Sequence, residues 1–309
     1  MALYSNKSGI LKAINESRIP LERHIQKLSE DNLQTIFGLE FIATEFEHNG
    51  LRLDSVAFDH STNAFVIIEY KRDRSFSVVD QGYAYLALLL NNKAEFILLY
   101  NEKTGKQLSK TAVDWTQSRV IFVAQNFTIH QQQAINFKDM PIELWQVRMY
   151  DNDSVLYSQL KASDKTESIK TVTRDSTVQS VSSEVKVYNI SDHFAGARKV
   201  TYDLYEQLRD RLTTLAPNVY ENPRGNYIGF SLKENGNDTF VYINIQINAL
   251  KLHIPRIRPE DINDPLCALE YKKNSFETKH TPESITFVRN DEDVDYAVSI
   301  LRQVIKLKF

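Results

Sequence analysis

The sequence predicts an α/β fold built on a mixed central sheet flanked by helices, followed by a smaller α+β domain. Three observations predict it. The apolar run Phe65–Ile68 reads as a strand buried on both faces. Segments of helical period alternate with such runs through the first half. From about 158 to 185 serine, threonine, lysine and aspartate dominate and apolar residues become sparse, the composition of a polar linker. The expected division is therefore a domain over 1–157, a linker over 158–185 and a second domain over 186–309.

Pro20 opens a helix expected from Leu21 to about Ile36, with Leu21, Ile25, Leu28, Leu33 and Ile36 near helical spacing and Gly38 as its stop. Phe41–Glu47 reads as a strand, turned at Asn49-Gly50 into a second strand, Leu51–Asp59. A polar turn then leads into Ala64–Lys71. Ser77 is placed to cap a helix over Val78–Asn91. Strands are expected at Glu95–Leu99, Arg119–Ala124 and Ile142–Met149, with a helix over Ile129–Phe137 before the last. In the second domain Ser191-Asp192 starts a helix running to about Leu215 through Val200, Leu204, Leu208 and Leu212. Strands follow at Tyr227–Leu232, at Phe240–Ile247 and from Leu250, and Asp291 starts a final amphipathic helix.

Bulk composition excludes several classes. With 42% hydrophobic and 25% charged residues the chain is an ordinary globular protein rather than a disordered one. A formal net charge of −3 advertises no coating of nucleic acid by basic excess. The single cysteine, Cys267, excludes an internal disulfide framework and builds no zinc site alone. No apolar stretch is long enough to span a bilayer, and the N-terminus lacks a signal-peptide core, so a cytoplasmic address is expected.

The chemistry concentrates in one hairpin. Period-2 alternation points Glu69 and Lys71 to one face of their strand and Tyr70 to the other. An antiparallel partner carrying Asp54 then brings two carboxylates and an ammonium together, a set suited to a hard divalent cation and an activated water. A plain ion pair of Lys71 with Glu69 or Asp54 is the structural alternative. Ionisable groups closing a buried strand must pair or bind something. Gln81 and Tyr85, four apart on the following helix, share a face. Glu22, one residue into the first helix, is either a helix-terminus charge or a further metal ligand.

The set Asp54…Glu69-Tyr70-Lys71 resembles the core of the PD-(D/E)XK nuclease superfamily, and Gln81…Tyr85 resembles the QxxxY motif of its RecB-like branch. The helix Leu21-Glu22-Arg23-His24-Ile25-Gln26 with Phe37-Gly38-Leu39-Glu40 is similar to the start of the nuclease domain in NucS-like endonucleases. The likeness covers about residues 15–150. It implies a restriction-endonuclease-like core that hydrolyses phosphodiester bonds, in DNA, for repair or defence. It implies Mg2+ or Mn2+ at Asp54 and Glu69, with Glu22 the first-helix acid. Lys71 would orient or deprotonate the attacking water, with Gln81 and Tyr85 in support. Leu53 stands where the family motif has proline, and the DNA-binding domain that precedes the nuclease in NucS has no counterpart.

Arg52, Arg72, Arg74 and Lys93 are the expected contacts to the nucleic-acid backbone, each with ordinary surface charge as its alternative. Symmetric cleavage of both strands would call for a homodimer. In the second domain Tyr242, Asn244 and Gln246 alternate into a polar face that either stacks on bases or is simply solvated. His253 belongs to that face and has no evident ligand partners. This domain is similar to one of uncharacterised function appended to nuclease-like domains, some bearers of which are labelled predicted transport proteins. A catalytically silent nuclease fold that binds nucleic acid or protein is the competing expectation, and a transport accessory role a weaker one.

Overall fold

A computed structural model describes residues 3–19, 21–71, 77–135, 137, 139–160, 168, 169, 173–233, 238–272 and 283–308. The chain divides into two compact units, 1–187 and 188–309. Arg72 and Arg74 lie outside the described residues.

The first unit opens with an antiparallel hairpin, β1 (Leu3–Lys7) and β2 (Ile10–Ile14), whose turn uses Ser8 and Gly9 at positive φ. Then come β3 (Glu16–Ser17), α1 (Glu22–Glu30), α2 (Leu33–Phe37), β4 (Glu40–His48), β5 (Leu51–Asp59) and β6 (Ala64–Lys71). Helices α3 (Val78–Asn91) and α4 (Lys93–Thr104) cross to β7 (Arg119–Ala124). Helix α5 (Ile129–Ala134) crosses to β8 (Ile142–Tyr150), and β9 (Val155–Leu160) and α6 (Ser176–Glu184) complete the unit.

The strands form one sheet in the order β3-β8-β7-β6-β5-β4, with β9 also on β8. The β6–β7 and β7–β8 pairs are parallel and the others antiparallel, so the sheet is mixed as expected. Each face has its own core. Phe65, Ile67 and Phe122 pack with α3 and α4 residues on one side; Val66, Ile68, Tyr70 and Ile121 pack with Ile25 and Phe37 on the other. Burial on both faces is why β6 and β7 read as continuous apolar runs.

Local chemistry sets the joints. Asn49 and Gly50 both take positive φ, the backbone a two-residue hairpin turn requires. The β5–β6 turn is tied by Asp59, whose Oδ1 accepts from the Ser61 backbone N–H at 2.9 Å while Oδ2 takes Arg119 Nη1 at 3.0 Å. Ser77 caps α3 by accepting from the Asp80 N–H at 3.3 Å.

Four expectations change. The single first helix is two, because Asn32 Nδ2 donates to the Leu28 carbonyl at 2.8 Å and ends α1; Gly38, at φ 71°, stops α2 instead. Glu95–Leu99 is not a strand but part of α4, which buries Phe96, Leu99 and Tyr100 at helical spacing. The helix expected over Ile129–Phe137 ends at Ala134. Within the expected linker, residues to Leu160 finish β9, and α6 buries Val178 and Val181 in the first unit's core, its start capped by Asp175. That amphipathic turn is diluted by serines, which hides it in the composition.

The second unit holds α7 (Ile190–His193), a 3-10 turn over Gly196–Thr201, and α8 (Tyr202–Leu212) in place of one long helix; Val200 is 77% exposed and joins no core. Its antiparallel sheet has the order β10 (Tyr220–Pro223), β11 (Ile228–Ser231), β12 (Thr239–Ile245), β13 (Leu250–Pro255), β15 (Glu283–Val288), β14 (Glu270–Lys272). Helix α9 (Asp291–Lys308) packs with α8 against one face, burying Leu208, Ile243, Leu252 and Leu301. Strands β10, β14 and β15 were not among those expected. Among the described residues no helix is long and apolar enough to cross a membrane.

Phe65 is fully buried and its ring contacts Phe58, Phe96, Tyr100 and Trp115, at centroid distances of 5.2–6.3 Å. Phe65→Ala is expected to lower stability by about 3–5 kcal/mol, read from urea unfolding of the full chain. A loss below about 1 kcal/mol would contradict this packing.

Candidate functional site

Asp54 and Glu69 meet at the open end of the β5–β6 ladder. Ser55 pairs with Ile68, so one further step along the antiparallel register sets Asp54 across from Glu69. Asp54 Oδ2 accepts the Tyr70 backbone N–H at 3.0 Å, which fixes its carboxylate at the strand end. Glu69 and Lys71 project toward α3, whereas Tyr70 points to the α1 side, where Ser55 Oγ lies 3.4 Å from its hydroxyl.

Glu69 is 3% exposed. Its Oε1 accepts both Lys71 Nζ at 2.6 Å and Gln81 Nε2 at 2.8 Å. Gln81 Nε2 also lies 2.7 Å from the Tyr85 hydroxyl, which donates to the Arg52 carbonyl at 3.2 Å. The α3 face that carries Gln81 and Tyr85 is thus tied to both strands of the hairpin. Burial, and then the Glu69 charge, push the Tyr85 phenol up, so it serves as a neutral hydrogen-bonding group. Glu69 Oε2 is buried and has no hydrogen-bond partner among the described residues.

Electrostatics mark the same spot. Burial pushes the Asp54 carboxyl up to about 6, the Glu69 charge adds to this, and Glu22 contributes a smaller push; the Tyr70 N–H and Lys71 oppose it. Glu22, the first residue of α1, therefore acts on the site through Asp54. One contributor was not anticipated. Gln26 Nε2 donates to the Asp54 carbonyl at 3.2 Å and to Glu30 Oε1 at 3.1 Å. Glu30 Oε1 also accepts Ser55 Oγ at 2.6 Å. The spacing Glu22, Gln26, Glu30 puts all three on one helix face, and that is the signal that could have found it.

The structure brings together Asp54, Glu69, Lys71, Gln81 and Tyr85. It does not bring Lys93 to them: that ammonium pairs with Glu184 Oε2 at 2.6 Å and lies 5.6 Å from the Trp115 ring centroid. The Arg52 side chain is exposed, with Glu45 at 4.0 Å, and only its carbonyl touches the cluster.

Asp54 and Glu69 are the two carboxylates here that could hold a divalent cation such as Mg2+ or Mn2+. Among the described residues no cluster of three or more His, Cys, Asp and Glu side chains is arranged for a metal ion. Mg2+, however, keeps several waters and needs only one or two carboxylates. A buried Glu69 oxygen with no hydrogen-bond partner among the described residues, on the residue across the ladder from a carboxylate of raised pKa, fits that need, because a cation there would compensate both.

Comparison with known proteins gives four likenesses. The chain is 38% identical over 307 residues to an uncharacterised protein of Haemophilus influenzae, covering 99% of this chain and 100% of that one. Residues 190–303 match DUF5655, a domain of unknown function. Among solved structures, a repair endonuclease from Pyrococcus abyssi is similar at 16% identity and a TM-score of 0.22, over 39% of this chain. An EndoMS-dsDNA2 complex is similar at 15% identity and a TM-score of 0.22, over 40% of it. The chain spans less than half of each of those two, 45% in both cases.

The raised Asp54 pKa has a sign. The folded state holds the proton more tightly than the unfolded chain, so the group's contribution to stability is whole below pH 3.8 and is lost as pH rises through about 6. Without added metal, Asp54→Asn is expected to match or exceed the parent by about 1–3 kcal/mol at pH 7.5, with the difference closing by pH 3.5. Urea unfolding in EDTA at the two pH values checks it; a variant less stable at pH 7.5 would contradict it.

Proposed function

The chain belongs to one family with the Haemophilus influenzae protein, shared from end to end, and from that premise we propose that its first unit is a divalent-cation-dependent nuclease acting on DNA. The observation that carries the reading is the Glu69 carboxylate: buried, gripped on one oxygen by Lys71 and Gln81, and without a hydrogen-bond partner on the other among the described residues. A buried ion pair is weak evidence for stability, since apolar replacement is often as good. Two carboxylates and an ammonium at one strand end are better accounted for by a reaction that needs them. The resemblance of Asp54…Glu69-Tyr70-Lys71 with Gln81…Tyr85 to the PD-(D/E)XK nucleases makes DNA the expected substrate.

Asp54 and Glu69 would hold Mg2+ or Mn2+. Bound there, the cation supplies Lewis-acid polarisation of the phosphate and lowers the pKa of a bound water. Lys71 orients the attacking water and offsets charge that develops on the phosphate oxygens, a position fixed by its contact with Glu69. Gln81 keeps the Glu69 carboxylate in one orientation, and Tyr85 holds Gln81 in turn. Burial of this cluster on the α3 side limits bulk water and strengthens each interaction.

A silent reading has one observation in its favour: Lys71 and Gln81 already compensate Glu69 Oε1, as a closed structural ion pair would. Turnover separates the two. The purified full chain with Mg2+ or Mn2+ is expected to nick or degrade DNA and to lose this in EDTA. Asp54→Ala and Lys71→Ala are each expected to lower the rate at least about 100-fold while the far-ultraviolet circular dichroism stays unchanged. Undiminished cleavage in both variants would sink the mechanism, and binding without turnover on single-stranded, duplex and branched DNA would establish the silent reading.

A further inference from the structure

The second unit's sheet has one face covered by α8 and α9, and among the described residues no helix covers the other. The register defines what that open face carries. Gly229 pairs with Tyr242, Tyr242 with His253, Asn244 with Lys251, and Lys251 with Phe287, so these residues lie on one side of the sheet. The helix side takes Ile243, Leu252 and Val288. Tyr227 packs edge-on against Tyr242 beside Gly229, with ring centroids 4.8 Å apart. At the other end of the face the Arg289 guanidinium sits 4.8 Å from the Phe287 ring centroid and the Lys251 ammonium 5.8 Å from it.

Phe287 and Arg289 also line a groove of about 770 Å3, bounded by the Gln246–Ala249 turn and by Arg198. Arg198 and Arg289 are exposed. The ion pairs of this unit among the described residues join other groups: Arg209 with Glu221, Arg211 with Asp295, Lys233 with Asp238. His253, expected to have no partner, is 2.7 Å from Glu283 Oε1, and that pair marks the far margin of the face.

We propose that this open face and its groove bind single-stranded nucleic acid, with bases stacked on Tyr242 and Phe287 and phosphates drawn to Lys251, Arg289 and Arg198. Half-exposed aromatic rings on a sheet, interleaved with cations, match the chemistry of unpaired bases on a charged backbone; paired bases would not reach the rings. Charge complementarity selects the occupant. Two cations on one ring and a third lining the adjoining groove, in a chain of net charge −3, form a local site for a polyanion, not a general basic coat. The choice of nucleic acid rests on the nuclease reading of the first unit; the surface itself does not. It gives the second unit a strand-binding role of its own.

The test uses the full-length Asp54→Ala chain in EDTA, so that binding is read without cleavage. Fluorescence anisotropy with a fluorescein-labelled twenty-nucleotide oligo-dT should show tighter binding than its duplex with oligo-dA. Phe287→Ala should weaken the single strand at least roughly ten-fold. Lys251→Glu with Arg289→Glu, both at half-buried or exposed positions, should weaken it further and flatten the salt dependence, with thermal melting unchanged. Unaltered affinity in the charge-reversed chain, or equal affinity for the duplex, overturns the proposal. Cleavage by the parent chain with no such loss sinks the grip alone; strand binding with no cleavage sinks the nuclease alone.

Discussion

The first unit depends on compensating a carboxylate buried at the end of an apolar strand. Glu69 sits where β6 emerges from the sheet, too enclosed for water to solvate it, and an ionised group there costs several kcal/mol unless the protein answers it. The answer comes from three elements. Lys71 is on the same strand face, Gln81 on α3, and Tyr85 fastens Gln81 while reaching across to the Arg52 carbonyl of β5. Each of these contacts also positions an element. Satisfying one acid thus ties α3, already packed on the sheet through its apolar face, to both strands of the hairpin at their open end.

Much of this was legible because its signals are short-range. Alternation along Ala64–Lys71 settled which side chains share a face, Asn49-Gly50 settled a turn, and Ser77 settled a helix start. Each rests on residues a few positions apart. The carboxylate cluster followed because an antiparallel register needs only one turn to be right. The misreadings came where local signal is ambiguous. Glu95–Leu99 is apolar enough for a strand, and only the burial of Phe96, Leu99 and Tyr100 on the sheet makes it helix. The break at Asn32 depends on a side chain capping its own helix, which apolar spacing does not record. For Lys93, nothing in the sequence announces Glu184 as its partner.

The two units use sheets differently. In the first, helices cover both faces and the candidate site lies at a strand end, where side chains from several elements converge. In the second, helices cover one face, and among the described residues the other carries half-buried polar and aromatic side chains. A strand end suits chemistry on one bond, because few atoms fit there and their orientation is fixed. A broad sheet face suits contact with an extended partner.

The change from antiparallel to parallel pairing on either side of β6 also bears on how the molecule assembles. Strands β5 and β6 are joined by a short turn, so their pairing closes little chain. Strand β7 reaches β6 only after two helices have been laid down, Val66 meeting Arg119 in the ladder. Contacts between neighbours in sequence form with the smaller entropy loss and so come earlier. By that ordering the acidic residues face one another before the layer that encloses them arrives. The nascent hairpin therefore carries its charges in water, and the desolvation cost falls due only as α3 docks with the groups that offset it.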